Sequence, residues 1–450
     1  MPTEQFTLFS NLDLRRLIVP LLIEQTLFMT VGTADTIMVA SLGEVSVSAV
    51  SLVNMFNGFI ANILFALSTG GAVVASQSLG AGNQKRACAS AKQLLALSFC
   101  ITLCLLAICQ LFHRQLLHVI YGELEADVLK DAITYFRITT CGYPLISMYG
   151  CCAALCRSMN RSKVTMYIST MSNCINITGN ALLIYGFKMG VAGAAYATFF
   201  SRICQVCVIL VVLTDKSQSI YLDFREKFHF SLDMAKRILF IGIPSGIEHG
   251  VFQLGRLLVV GLIAKYGTKE IAANAVANTV DYFGCIVGNS FGLAMITVIG
   301  QSVGAGIKAQ VEYYVKKMMK WCYTFHVAWI AFLLCMSPLF LKLFHKVTPE
   351  TLDLAFILIL IHNGLGLFLW PAAFVFPNVL RAANDVRYTM LLSISSRFIV
   401  RIGVSDVMAP MFQSGVIAVW LAMIMDWVVR IIGFVWRYRS DAWVPKSGVK

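Results

Sequence analysis

Apolar residues run along this chain in long blocks separated by short polar breaks. Blocks near the ~20 residues that cross a bilayer as a helix fall at roughly 14–40, 46–73, 93–112, 129–153, 164–186, 190–213, 237–264, 270–299, 318–341, 352–379, 388–410 and 414–436. The pattern predicts an all-α membrane protein of about twelve transmembrane helices. The polar breaks carry a second regularity. QSLGAGN at 77–83 returns as QSVGAGI at 301–307, and the same shift of 224 positions carries Pro20 to Pro244, Glu24 to Glu248, Gly43 to Gly267, Asn54 to Asn278, Arg157 to Arg381 and Asn160 to Asn384. A period of about 20 to 50 residues would mean a solenoid or propeller; one repeat of half the chain means two copies of a large unit. With six spans each, both copies start on the same face, so they form a parallel repeat about an axis along the membrane normal. The expected organisation is a six-helix lobe at 1–213, a cytoplasmic linker at 214–236 and a second six-helix lobe at 237–450. Each QS(L/V)GAG motif closes the second span of its copy, where glycine can take the left-handed conformation that ends a helix. It reads as a helix stop followed by basic anchors, architecture more than chemistry.

Composition sharpens the class. The chain is 58% hydrophobic and 13% charged, against roughly 25% charged in a soluble domain. Cations cluster before the first span (Arg15, Arg16) and in every second connection after it: Lys85, Arg86 and Lys92; Arg157, Arg161 and Lys163; Lys216, Arg225, Lys227, Lys236 and Arg237; Lys308, Lys316, Lys317 and Lys320; Arg381 and Arg387; and Arg437, Arg439, Lys446 and Lys450. By the positive-inside rule both termini are expected in the cytoplasm, and the net charge of +13 reads as topology, not as a nucleic-acid footprint. The first apolar block is a full span, so it directs insertion and no cleaved signal is expected. Most of the 14 Cys sit inside spans, where a thiol acts as a small hydrophobe; no disulfide is expected. Cys204 and Cys207 form a lone C-x-x-C within a helix. The His residues, at 113, 118, 229, 249, 326, 345 and 362, show no ligand spacing.

Three stretches carry a resemblance: ADTIMVASLGEVSVSAVSLVN at 34–54, the QSLGAG ending of the second span, and CRSMNRSK at 156–163. Together they resemble the multidrug and toxic compound extrusion (MATE) family, over essentially the whole chain. The resemblance implies two six-helix lobes facing a V-shaped cavity and export of organic cations in exchange for protons or sodium ions.

Ionisable residues inside a bilayer default to a functional hypothesis, and few exist here. Asp35 lies near the outer end of the first span and Glu24 nearer the cytoplasm. A carboxylate desolvated there can take up and release a proton; Asp35 could equally cap a helix end or pair with a loop lysine. On the fifth span Asn173, Asn176 and Asn180 recur on one helical face, either as an interhelical hydrogen-bonding strip or as a cation-coordinating wall. In the MATE branch named for a DNA-damage-inducible protein, the cation site joins a first-helix aspartate, an Asn and an Asp one turn apart on the fifth helix, and a Thr on the sixth. Matching motifs puts those roles on Asp35, Asn176, Asn180 and Thr198. Asn180 stands where that branch has aspartate, and a site with one carboxylate suits a proton better than Na⁺.

The second copy offers a possible polar site from Glu248, Arg256, Asn278, Asp281 and Arg397, with Asn274 and Arg401 beside them. Arg397 holds the position of Asn173, so the copies have diverged in charge. A buried arginine beside Glu248 or Asp281 would make a structural ion pair. The family branch that uses a seventh-helix glutamate eight residues after its proline finds Phe252 there. The expected function is an antiporter of amphipathic organic cations in the cytoplasmic membrane, coupled to protons, with sodium as the alternative ion. It is expected to act as a monomer in the lipid bilayer, with a coupling ion but no cofactor, no metal, no nucleic acid and no enzymatic step. The competing readings are an exporter of organic anions or a flippase for lipid-linked substrates, using Arg256, Arg397 and Arg401, and a passive pore.

Overall fold

The computed structural model describes residues 8–444 apart from 224, 227, 345–346 and 409–414. Lys227, His345, Lys446 and Lys450, the last two residues of the predicted span 388–410 and the first of 414–436 lie outside the described residues. Among the described residues every regular element is helical. The first repeat holds α1 (Asn11–Ala40), α2 (Glu44–Gly80), α3 (Gln84–Leu111), a short α4 (His113–Tyr121), α5 (Ala126–Thr140), α6 (Tyr143–Ser158), α7 (Ser162–Asn180) continued by a π-helical stretch (Ala181–Gly186), and α8 (Gly190–Leu213). The second holds α9 (Leu232–Ala264), α10 (Thr268–Gly284), α11 (Ile286–Gly304) and α12 (Lys308–Leu341). Its tenth span is assembled from α13 (Pro349–Ile359), a π stretch (Leu360–Gly364), α14 (Leu365–Trp370), another (Pro371–Val375) and α15 (Pro377–Ala382). The eleventh is α16 (Val386–Ser396), a π stretch (Arg397–Val404) and α17 (Ser405–Met408), and the twelfth is α18 (Gly415–Arg439).

Nine helices among the described residues are long and apolar enough to cross a membrane, and α5 with α6, bent by 42°, makes a tenth. The fifth and eleventh spans fall short of that standard, and they are the two that carry the amide strip and the arginine pair. Their polarity is the reason: a helix that spends its apolar face on Asn or Arg must hide that face against neighbours. Burial inside the protein reaches 83% for α11 and 61% for α2 and α18, against 22% for α3, α9 and α12. The first three are therefore central to their units, and the others turn apolar faces outward, where only lipid chains can cover them.

The repeat is written into the backbone. Left-handed φ angles occur in matched pairs 224 positions apart: Gly43 (103°) and Gly267 (108°), Gly82 (69°) and Gly306 (77°), Asn160 (60°) and Asn384 (65°). Gly82 and Gly306 close the two QS(L/V)GAG motifs, with Ala81 N donating to Gln77 O at 3.0 Å and Ala305 N to Gln301 O at 2.9 Å. This is the left-handed stop that the motif predicts.

The chain divides into two compact units, one of Asn11–Gly246 and the other beginning at Ile247. The division falls inside α9, just after Pro244, which removes a helical hydrogen bond. Before that point α9 is bound to the first unit: a Cβ on Gly70 would sit 2.5 Å from Ile238 O, and Arg237 Nη2 donates to Gln77 Oε1 at 3.0 Å. The residues just before α1 join the second unit, with Phe9 N donating to Tyr314 Oη at 2.7 Å. The connection at 214–236 is docked, not loose. Ile220 and Leu222 are buried, Gln93 Nε2 donates to His229 O, and Lys92 pairs with Glu226 at 2.5 Å.

Candidate functional site

The first unit has an apolar cluster in which α1, α2, α5, α6 and α8 contribute Val39, Val53, Leu64, Phe136, Tyr143 and Ala195. At its edge α7 packs between α1 and α8, and the four residues matched by motif come together there. Thr198 donates its hydroxyl to Ala194 O one turn back, at 3.0 Å, which leaves its lone pairs to accept from Asn176 Nδ2 at 3.2 Å. Asn180, one turn along α7, donates Nδ2 to Asp35 Oδ1 at 2.7 Å and lies 3.4 Å from Asn176 Oδ1. The two amides of α7 therefore donate outward, Asn176 to α8 and Asn180 to the carboxylate on α1, and Asn180 also leans on Asn176. Asn180 Oδ1 is buried with no partner. Asn173, the third amide of the strip, takes no part, and its Nδ2 is also unpartnered.

Beside the carboxylate lies a cavity of about 20 Å³ whose polar wall is Asp35, Thr36, Asn54, Tyr135, Asn180 and Thr198. A cavity of about 10–15 Å³ holds one water, so this one suits a single water-sized species. Tyr135 Oη donates to Asn54 Oδ1 at 3.2 Å. The ligands are oxygens, which suit a proton or a hard cation.

Sequence reading missed Arg202, one turn beyond Thr198 on α8. Its Nη1 would lie 2.9 Å from a Cβ on Gly142, so the absence of a side chain at the α5–α6 bend is what admits the guanidinium. Arg202 is within electrostatic reach of Asp35, Tyr135 and Tyr143. The signal was available, since an arginine in the middle of an apolar span is the same anomaly as Asp35. Its charge balances the carboxylate, so the unprotonated site is close to neutral.

Comparison with known proteins was decisive on kinship. The MatE family model matches twice, at residues 20–182 and 244–406, two segments of equal length separated by the same 224 positions as the internal repeat. The chain belongs to the MatE family. Among curated relatives it is 25% identical over 435 residues to the "Uncharacterized transporter YisQ" of Bacillus subtilis, covering 95% of this chain and 94% of that one. It is also 25% identical over 446 residues to the "Probable multidrug resistance protein NorM" of Thermotoga maritima, covering 97% and 93%. Its fold superimposes on a solved MATE structure in a bent conformation with a TM-score of 0.87 at 21% identity, covering 97% of each chain. As a MatE protein it is a multi-pass membrane transporter of small molecules, of the multidrug and toxic-compound efflux kind, driven by a coupling ion, and it is not an enzyme.

In this MatE chain the five second-copy candidates do not form one cluster. Glu248 is paired with Arg381 at 2.8 Å, both nearly buried. The sequence pattern sets Arg381 among the cytoplasmic anchors and expects a buried arginine beside Glu248 or Asp281; Arg381 is the arginine that pairs with Glu248, and the repeat explains why. Its first-copy counterparts, Glu24 and Arg157, are also within electrostatic reach of one another, and Glu24 accepts from Thr165 at 2.7 Å. The pair is a scaffold element built twice. Arg256 bonds to Tyr282 and covers its ring at 5.0 Å. Arg397 packs its guanidinium 3.9 Å from the centre of the Phe252 ring, a cation–π contact. Asn278 donates to Asn274 O in its own helix at 2.7 Å. Asp281 accepts from Asn363 at 2.6 Å.

Proposed function

We propose that this MatE protein exports amphipathic organic cations across the cytoplasmic membrane in exchange for protons, by alternating access, with Asp35 as the proton carrier. Its two lobes would be 1–213 and 237–450, joined by 214–236, with both termini in the cytoplasm. The observation that carries the reading is the hydrogen-bonded cluster of Thr198, Asn176 and Asn180, in which the only carboxylate is Asp35 and it accepts from Asn180. A charge-assisted hydrogen bond to a carboxylate is about twice as strong as a neutral one. Protonation of Asp35 therefore weakens its hold on Asn180 and loosens α1 from α7, whereas proton release restores the contact.

Three features favour a proton over Na⁺. Asn180 turns its N–H, not its oxygen, to Asp35, which occupies the carboxylate with a donor where a metal ion would need an acceptor. Arg202 already supplies a positive charge nearby. The cavity takes one small species, whereas a bare cation needs several oxygens converging on it. The test is flux of the fluorescent cation ethidium in proteoliposomes under an imposed pH gradient without sodium. Wild type should accumulate ethidium on the acidic side, and Asp35→Asn should lose at least about tenfold in rate, equivalent to ~1.4 kcal/mol, while keeping its thermal transition. A strict sodium requirement at constant pH, or unchanged flux in Asp35→Asn, would overturn the reading.

A further inference from the structure

The second unit contains a buried group of ionisable residues that the Asp35 site does not use. Asp281 lies in the last turn of α10, just before Cys285 interrupts the eighth span between α10 and α11. It is 5% exposed. Its Oδ1 accepts from Asn363 Nδ2 at 2.6 Å and lies 3.3 Å from His362 Nδ1, and its Oδ2 is buried with no partner. His362 and Asn363 both sit in the π-helical stretch Leu360–Gly364, a geometry that often marks functional sites. Gly284 makes the approach possible, because a Cβ there would stand 2.7 Å from Asn363 Oδ1.

Aromatic rings close the rest of the shell. His362 meets Trp427 and Trp420 edge-on, with centroids at 5.1 and 5.8 Å. Trp420 Nε1 donates to Asn274 Oδ1 at 3.1 Å and so is already satisfied. The charged and titratable neighbours are Arg401 from the π stretch of the eleventh span and His326 from α12, both within electrostatic reach of His362. Cys285 is beside Asp281, and Arg256 of α9 acts on that cysteine. Among the described residues no lysine or arginine bonds to Asp281, in contrast to Glu248 with its arginine.

The repeat shows what is unusual here. Moving back 224 positions, Asp281 becomes Asn57, His362 becomes Ile138 and Asn363 becomes Thr139. Asn57 Nδ2 donates to Thr139 Oγ1 at 3.1 Å, so both copies join these two helices by a polar contact at the same place. A neutral amide and hydroxyl suffice for that in the first copy. The second copy replaces them with an acid and adds an imidazole, which scaffold duty does not require.

We propose that Asp281, with His362 and Asn363, forms a second proton-binding site, in which the proton rests on Asp281 and His362 is its exchange partner. Asn363 fixes Oδ1 as an acceptor, so the proton takes the unpartnered Oδ2. The proton leaves when the carboxyl group turns its O–H toward the imidazole nitrogen 3.3 Å from Oδ1, which accepts it and returns it by the same path. Use of this site in the transport cycle rests on the proton-coupled reading above, whereas its titration does not, so the two can fail separately.

Infrared difference spectroscopy of the full chain in lipid nanodiscs tests it, in an Asp35→Asn background that removes the first site. Between about pH 5 and 8, the range in which imidazole changes charge, a protonated-carboxyl band should disappear as pH rises. The band should be absent in Asp281→Asn. In His362→Gln its midpoint should move by at least about tenfold in proton concentration, one pH unit. If Asp281→Asn fails to fold, Asp281→Glu keeps the acid and must shift the band in frequency. A band that does not titrate, that is unchanged by Asp281→Glu or Asp281→Asn, or whose midpoint ignores His362→Gln would overturn the proposal.

Discussion

The two repeats share a backbone and differ in chemistry, and equivalent positions show where. Asp35, Asn176, Asn180 and Thr198 of the first copy become Val259, Val400, Val404 and Ala422 in the second. The hydrogen-bonding side chains of one copy are replaced by apolar ones in the other. In the opposite sense, Asn57, Ile138 and Thr139 become Asp281, His362 and Asn363. Against this exchange, the paired left-handed turns stay in place, and so does the juxtaposition of Glu and Arg seen as an ion pair at Glu248 and Arg381 and within electrostatic reach at Glu24 and Arg157. A carboxylate that recurs with its arginine in both copies is scaffold, and one that appears in a single copy is a candidate for proton work.

Apart from Asp35 itself, the largest effect expected from that distinction is at Arg381. Removing one member of a buried ion pair leaves an uncompensated charge and costs about 3–5 kcal/mol. Arg381→Leu should therefore lower the thermal transition sharply, and adding Glu248→Leu should recover much of the loss. Neither variant should alter the coupling ion. A change of coupling ion in Arg381→Leu would break the division between scaffold and site.

A smaller effect is expected at Thr198. Thr198→Val keeps the shape but strands Asn176 Nδ2, a loss of about 1–3 kcal/mol for a buried donor. Because Asn176 orients Asn180, the pH midpoint of transport should shift, whereas Ala422→Thr at the equivalent place in the second copy should leave it unchanged. Transport assayed across pH distinguishes the two.

The smallest effect is expected outside the spans. The Lys216 ammonium, and then the backbone N–H of Arg225, hold the Asp223 carboxyl below its usual range. A depressed folded value means that its contribution is complete above the ordinary aspartate value near 3.9 and is lost as pH falls through the folded value. Asp223→Asn should therefore leave stability and transport unchanged between about pH 5 and 8, since exposed pairs contribute little. A marked loss at neutral pH would show that the docked linker matters more than either buried site.

Much of this was legible in the sequence. Span lengths follow from bilayer thickness, and the repeat follows from direct comparison of residues. Asp35 stood out as a charge in an apolar block, and the family resemblance placed Asn176, Asn180 and Thr198 beside it. What stayed hidden were contacts between residues far apart in the chain: Glu248 with Arg381 across 133 positions, and Asp281 with Asn363 across 82. Hydropathy cannot say which apolar helices touch. Nor does it reveal π-helical stretches, which rotate His362 and Arg397 away from the face that a regular α-helical count assigns to them. Arg202 was visible as an intramembrane charge, but its role depends on the bend at Gly142 that lets it approach.

On the proton-coupled reading, the exchanged proton resides on Asp35. Adding ethidium to purified, weakly buffered protein in detergent, without sodium, should displace that proton and acidify the medium. Wild type and Arg381→Leu are predicted to release protons, and Asp35→Asn to lose that release although it remains folded and binds the dye. Equal release from wild type and Asp35→Asn would contradict the claim.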